Sequence, residues 1–96
     1  MTFTLKSGSN RGERRIWVEG KRLLNAGLVK GTMLGRNMKN GKIILNVGGE
    51  GHRIAGGDSR PVLDLNGKWV TDFVGASTHV EITVAKNRIT IVPVSL

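Results

Sequence analysis

The chain repeats itself, and that constrains its fold more than any other feature. Ile16-Trp17-Val18-Glu19-Gly20-Lys21-Arg22-Leu23 and Leu63-Asp64-Leu65-Asn66-Gly67-Lys68-Trp69-Val70 both read apolar-x-apolar-polar-Gly-Lys-x-apolar. Further on, Asn40-Gly41-Lys42-Ile43-Ile44-Leu45 matches Lys86-Asn87-Arg88-Ile89-Thr90-Ile91, with a one-residue gap near Gly27. The pattern divides a single domain, residues 1–96, into unit one (14–47), a Gly-rich connection (48–59) and unit two (60–94). A unit of about 35 residues is too small to bury both sides of an apolar face, whereas two units can bury each other.

Each unit has the same local logic. Ile16 and Val18 alternate with Arg15 and Trp17, which predicts a half-buried strand. Gly20-Lys21 breaks it, and Leu23, Leu24, Ala26 and Leu28 allow a short helix closed by Gly27 or Gly31. Thr32–Met38 reads as a weakly patterned strand. Asn40-Gly41 favours the positive φ values of a tight hairpin turn, with Ile43–Val47 as the return strand. In unit two, Val62–Leu65 is the strand and Lys68–Val74 a short helix or turn. His79–Val84 and Arg88–Val94 form a hairpin rich in β-branched residues. Pro93 fits an edge or a strand end. Thr2–Leu5 adds a further strand. The expected class is mainly β (α+β), a covalent pseudo-dimer of tandem βαββ units. Closing the strands into a barrel would remove exposed edges.

The run IWVEGKRLLNAGLVKG resembles the SymE-like toxin branch of the SpoVT/AbrB superfamily. Gly20, Lys21, Leu23, Ala26, Gly27 and Gly31 fall on its motif positions, and Trp69 supplies the Trp that Arg22 replaces in unit one. The resemblance implies a swapped-hairpin β-barrel of two interleaved βαββ units. It also implies duplex DNA binding through basic residues around the first strand, and toxin action on nucleic acid. Two departures stand out. Superfamily members pair one unit per chain, and here both units share a chain. Pro61, Val62 and Asp64 stand in unit two where unit one has Arg14, Arg15 and Trp17, which argues against a symmetric two-armed grip.

Charge is lopsided as well as high. The net charge is +8, and residues 1–48 carry ten Lys or Arg against two acids, while residues 49–96 carry five of each. A polarised basic balance points to a polyanionic partner, nucleic acid ahead of an anionic membrane surface. No run approaches the length of a membrane span, and the first ten residues lack a secretory apolar core. With no cysteine, disulfides and thiolate chemistry are excluded. A cytoplasmic, nucleoid-associated protein is expected, with no membrane partner.

The candidate nucleic-acid-binding residues are Arg11, Arg14, Arg15, Trp17, Lys21, Arg22, Arg36, Lys39, Lys42 and Arg53. Arg can hold a phosphate or a guanine edge bidentately, and Lys acts as a point charge. A solvated basic edge that deters aggregation is the rival reading of the first arginines. Trp17 either stacks on a base, anchors a protein partner or caps one end of the fold. The scarcity of aromatic residues argues against a single-strand platform. Gly48-Gly49-Glu50-Gly51 and Gly56-Gly57-Asp58 match no phosphate-loop motif and read as a flexible connection. His52 and His79 share no spacing that would pair them for acid–base work, and too few ligands cluster for a metal. No catalytic residue, cofactor or metal is expected. The function expected is a regulatory or nucleoid-associated protein for nucleic acid, duplex DNA foremost. Its rivals are a phage- or mobile-element-encoded inhibitor that docks on a host protein or nucleoprotein complex, and a toxin ribonuclease. Pairing of the tandem chain into a homodimer is compatible with each.

Overall fold

The computed structural model describes residues 1–96 as two antiparallel sheets with one apolar core between them. In chain order the elements are β1 (Thr2–Lys6), β2 (Gly8–Asn10), β3 (Glu13–Glu19), α1 (Lys21–Leu24), β4 (Met33–Lys39) and β5 (Lys42–Val47). They continue as β6 (Gly51–Arg53), β7 (Ala55–Gly56), β8 (Pro61–Asn66), α2 (Lys68–Val74), β9 (His79–Ala85) and β10 (Arg88–Val94). Neither helix is long and apolar enough to cross a membrane.

The six-stranded sheet runs β1-β9-β10-β5-β4-β6 and the four-stranded sheet β2-β3-β8-β7. If β1 to β5 are exchanged in order for β6 to β10, each list becomes itself read backwards. The residue register obeys the same exchange. Ile16 pairs with Leu65 and Val18 with Leu63 about a centre at Trp17 and Asp64. Ile43 pairs with Ile91 and Leu45 with Ile89 about a centre at Ile44 and Thr90. Residues 48–59, expected as a connection, contain β6 and β7, which occupy the places that β1 and β2 take on the other side. The first strand of each half joins the other half's hairpin: β1 pairs with β9, and β6 with β4.

Alternation along the strands builds the core. Ile16, Val18, Leu63 and Leu65 face Ile43, Leu45, Ile89 and Ile91, and all are buried. Burying such a side chain contributes roughly 1.5–3 kcal/mol each. The β4–β5 turn has the predicted chemistry, with Asn40 and Gly41 at φ of 53° and 73°, while the β9–β10 turn has only Asn87 at positive φ, 66°. Pro93 pairs with Val80 beyond the point where β5 stops pairing with β10, so its missing N–H interrupts no ladder there.

A closed barrel does not form. The chain passes from one sheet to the other at two buried corners, Ser7 between β1 and β2 and Ile54 between β6 and β7. There the backbone N–H groups leave the ladders. Ser7 N donates to the Thr78 carbonyl at 3.0 Å and Ile54 N to the Thr32 carbonyl at 2.9 Å. The corners therefore divide the strands into two sheets with separate edges.

Candidate nucleic-acid interface

Arg14 and Arg15 are neighbours on a strand, so they point to opposite faces. Arg15 lies on the outer face of the four-stranded sheet. Its guanidinium donates from Nε and Nη2 to both carboxylate oxygens of Asp64, each at 2.8 Å, and stacks 4.4 Å from the Trp17 ring. Those hydrogen bonds hold the Asp64 carboxyl below its usual range. Burial opposes the shift, and a hydrogen bond from Asn66 assists it. Arg15 is correspondingly held above its ordinary value by the hydrogen bond to Asp64. Glu19 on the same face approaches Arg60 at 3.9 Å. The outer face of this sheet is therefore close to neutral, and its bidentate pair is already satisfied.

Arg14 faces inward. It is half-buried, and donates to Ser7 Oγ at 2.5 Å and to the Ser77 carbonyl at 3.4 Å. Its backbone N–H donates to Thr71 Oγ1 at 2.8 Å, and that hydroxyl donates to the Glu13 carboxylate. Arg14 thus ties β3 to α2 and to the loop before β9. The expected constellation of Arg11, Arg14, Arg15, Lys21 and Arg22 is not brought together. Arg11 lies in the β2–β3 turn, while Lys21 and Arg22 lie on α1, where the Arg22 guanidinium stacks 3.9 Å from the Phe3 ring.

Arg36 is committed as well. It stacks 3.9 Å from the Trp69 ring, which also meets His52 at 5.6 Å between ring centroids. Burial, and then the charge of Arg36, lower the His52 pKa from its ordinary value. The unfolded chain therefore takes up this proton before the folded one does. Stability from the neutral ring is complete above about pH 6.5 and is lost as pH falls through the lower folded value. In an NMR titration, His52 is expected to protonate below about pH 6.5, and Arg36→Gln to raise its midpoint. An unchanged midpoint in the variant would remove Arg36 from this account.

The remaining candidates converge elsewhere. Register and alternation place Lys6, Lys39, Lys42, Arg53 and Arg88 on the outer face of the six-stranded sheet. All five are exposed, and none is in an ion pair. Lys39 and Lys42 lie directly opposite each other across the β4–β5 hairpin, a like-charge pair that costs stability. Between the cations stand Thr2, Thr4, Thr83, Thr90, Asn37 and Asn46, together with apolar Ile44, Met33 and Val92 and with no Trp or Phe. Two carboxylates approach: Glu81 within the face, and Glu50 from the loop that crosses β4 at Gly35. Sequence reasoning found Lys39, Lys42 and Arg53 but missed Lys6 and Arg88. The signal was available, because in the predicted hairpin Arg88 alternates outward with Thr90 against buried Ile89 and Ile91.

The two histidines have separate partners. His52 is packed on Trp69, while His79 is on β9, where its Nδ1 is 2.6 Å from Thr78 Oγ1. No group of three or more His, Asp or Glu side chains is arranged to hold a metal. No protein-family model matches the chain, and no curated protein or solved structure is similar enough to it to indicate a relationship.

Proposed function

We propose that the protein binds duplex nucleic acid, DNA foremost, through the outer face of its six-stranded sheet. The observation that carries this reading is five unpaired cations on one broad face, including an opposed Lys39–Lys42 pair, while the arginines on the outer face of the four-stranded sheet, Arg15 and Arg60, each meet a carboxylate. A face kept basic at a cost in stability serves attraction to an anion better than it serves the fold. Threonine and asparagine between the cations suit phosphate and sugar contacts. The lack of Trp and Phe leaves single-stranded bases nothing to stack on.

The same reading takes the chain as two tandem units, 14–47 and 60–94, in an open version of the pseudo-dimeric swapped-hairpin arrangement. Strand orders that read alike from both ends, and the crossing of β1 and β6 into the other half, support it. So does the resemblance of Ile16–Gly31 to SymE-like members of the SpoVT/AbrB superfamily. Location in the cytoplasm, at the nucleoid, follows from the ligand. Docking of the basic face on an acidic protein surface is the competing use of the same charges.

Fluorescence anisotropy with labelled duplex and single-stranded probes of equal length tests the reading. The duplex should bind at least about tenfold more tightly than the single strand. Lys42→Glu should weaken duplex binding about tenfold, and Arg15→Ala should leave it within about twofold. Equal loss in both variants, or a preference for the single strand, would refute the assignment of this face.

A further inference from the structure

A second candidate site lies at the end of the molecule away from Trp69, and the internal two-fold relation explains its shape. A cleft of about 360 Å³ opens between α1 and the end of the β9–β10 hairpin, with Met1 in its lining. Ala26 and Val84 supply apolar lining, and Arg22, Asn25 and Lys86 supply polar lining. The volume falls in the range of small-molecule sites.

Exchanging the halves turns Arg22 into Trp69, Ala26 into Phe73, Asn25 into Asp72 and Lys86 into Asn40. In the other half, therefore, two aromatic rings stand where this half has an arginine and a methyl group. Trp69 and Phe73 are partly buried against the core. In this half the Phe3 ring lies 3.9 Å from the Arg22 guanidinium, and the cleft is the room left beside Ala26, where the other half places Phe73.

The same exchange reverses the electrostatics. Asp72 binds Lys68 at 3.1 Å in the other half. Asn25 replaces that carboxylate, so Lys21 has no carboxylate partner here. Lys86 adds a charge where the other half has Asn40. No acidic side chain lines the cleft.

We propose that this cleft binds a nucleoside monophosphate, with the base against Ala26 and Val84 and the phosphate between Arg22 and Lys86. A flat ring takes up the aromatic-sized space, and the cations supply charge complementarity that an uncharged ring would leave unused. The site shares no residue with the basic sheet face, so it stands or falls independently of duplex binding. An unpaired nucleotide of a longer strand presents the same chemistry as a free one, and probe design separates them.

Isothermal titration and methyl NMR with adenosine monophosphate, adenosine and inorganic phosphate provide the test. The monophosphate should bind at least about tenfold more tightly than either fragment and should shift the methyl signals of Ala26 and Val84. Ala26→Phe, which copies Phe73, should abolish binding while keeping the near-UV spectrum and melting temperature of a folded protein. Arg22→Gln/Lys86→Gln should reduce affinity for the monophosphate about tenfold and leave adenosine unaffected. A duplex with an unpaired terminal nucleotide that competes, where a blunt duplex does not, assigns the site to nucleic-acid ends. Competition by free monophosphate alone assigns it to the small molecule. Equal affinity for all three probes, or full binding by a folded Ala26→Phe variant, overturns the proposal.

Discussion

Raising salt from 50 to 200 mM is expected to weaken duplex binding about 500-fold. If Lys6, Lys39, Lys42, Arg53 and Arg88 each neutralise one phosphate, log affinity falls against log salt with a slope of about −4.5, and a fourfold rise multiplies the dissociation constant accordingly. The charge-reversed variant Lys39→Glu/Lys42→Glu/Arg88→Glu removes three contacts. Its slope should flatten to about −2, with affinity near physiological salt lower by roughly 100-fold. These residues are exposed and outside the core, so the variant should melt close to the parent. Reversing only one member of the opposed Lys39–Lys42 pair, as in Lys42→Glu, replaces repulsion by attraction and should raise stability slightly. The same slope in parent and variant would detach binding from this face. A flat response in the parent would favour a protein partner held mainly by apolar contact.

Gly49→Ala is expected to destabilise the fold by about 3 kcal/mol, a fall in melting temperature of roughly 15 °C. A Cβ at Gly49 would lie 2.5 Å from Gly35 Cα and 2.6 Å from Gly35 N, both backbone atoms in β4. No rotamer change relieves that contact, so either the loop or the strand must move. The loop enters β6, and β6 carries Arg53 to the basic face. Displacing it should therefore lower duplex affinity as well as stability. Gly57→Ala is the matched control, since a Cβ there meets nothing within 4 Å. Thermal melting by circular dichroism separates them. A Gly49→Ala protein that melts within about 2 °C of the parent would show that the two backbones do not touch.

Alternation and turn chemistry made most of the fold legible. Ile16 and Val18 against Trp17 gave β3 its buried and exposed faces, and Asn40-Gly41 and Asn87 located both hairpins. β6 and β7 were not readable, because a three-residue and a two-residue strand hold too little side-chain pattern to announce themselves. Their pairing partners, β4 and β8, specify them from a distance. Legibility of the site was poorer for a related reason. Arg14 and Arg15 look like one patch in the sequence, yet the period of two that identified β3 sends them to opposite faces. Asp64 then takes Arg15, an ion pair that depends on β3 meeting β8 in one register. Lys39, Lys42 and Arg88 form a patch only because β5 and β10 lie side by side.

The crossing of β1 into the distal hairpin also sets a timetable for biosynthesis. Phe3 and Leu5 find their neighbours only at Ile82 and Val80, so β1 has no sheet to join until β9, far later in the chain, has been made. Long-range closures of this kind slow folding relative to chains dominated by local contacts. Until β9 arrives, Phe3 and Leu5 are free to engage a chaperone.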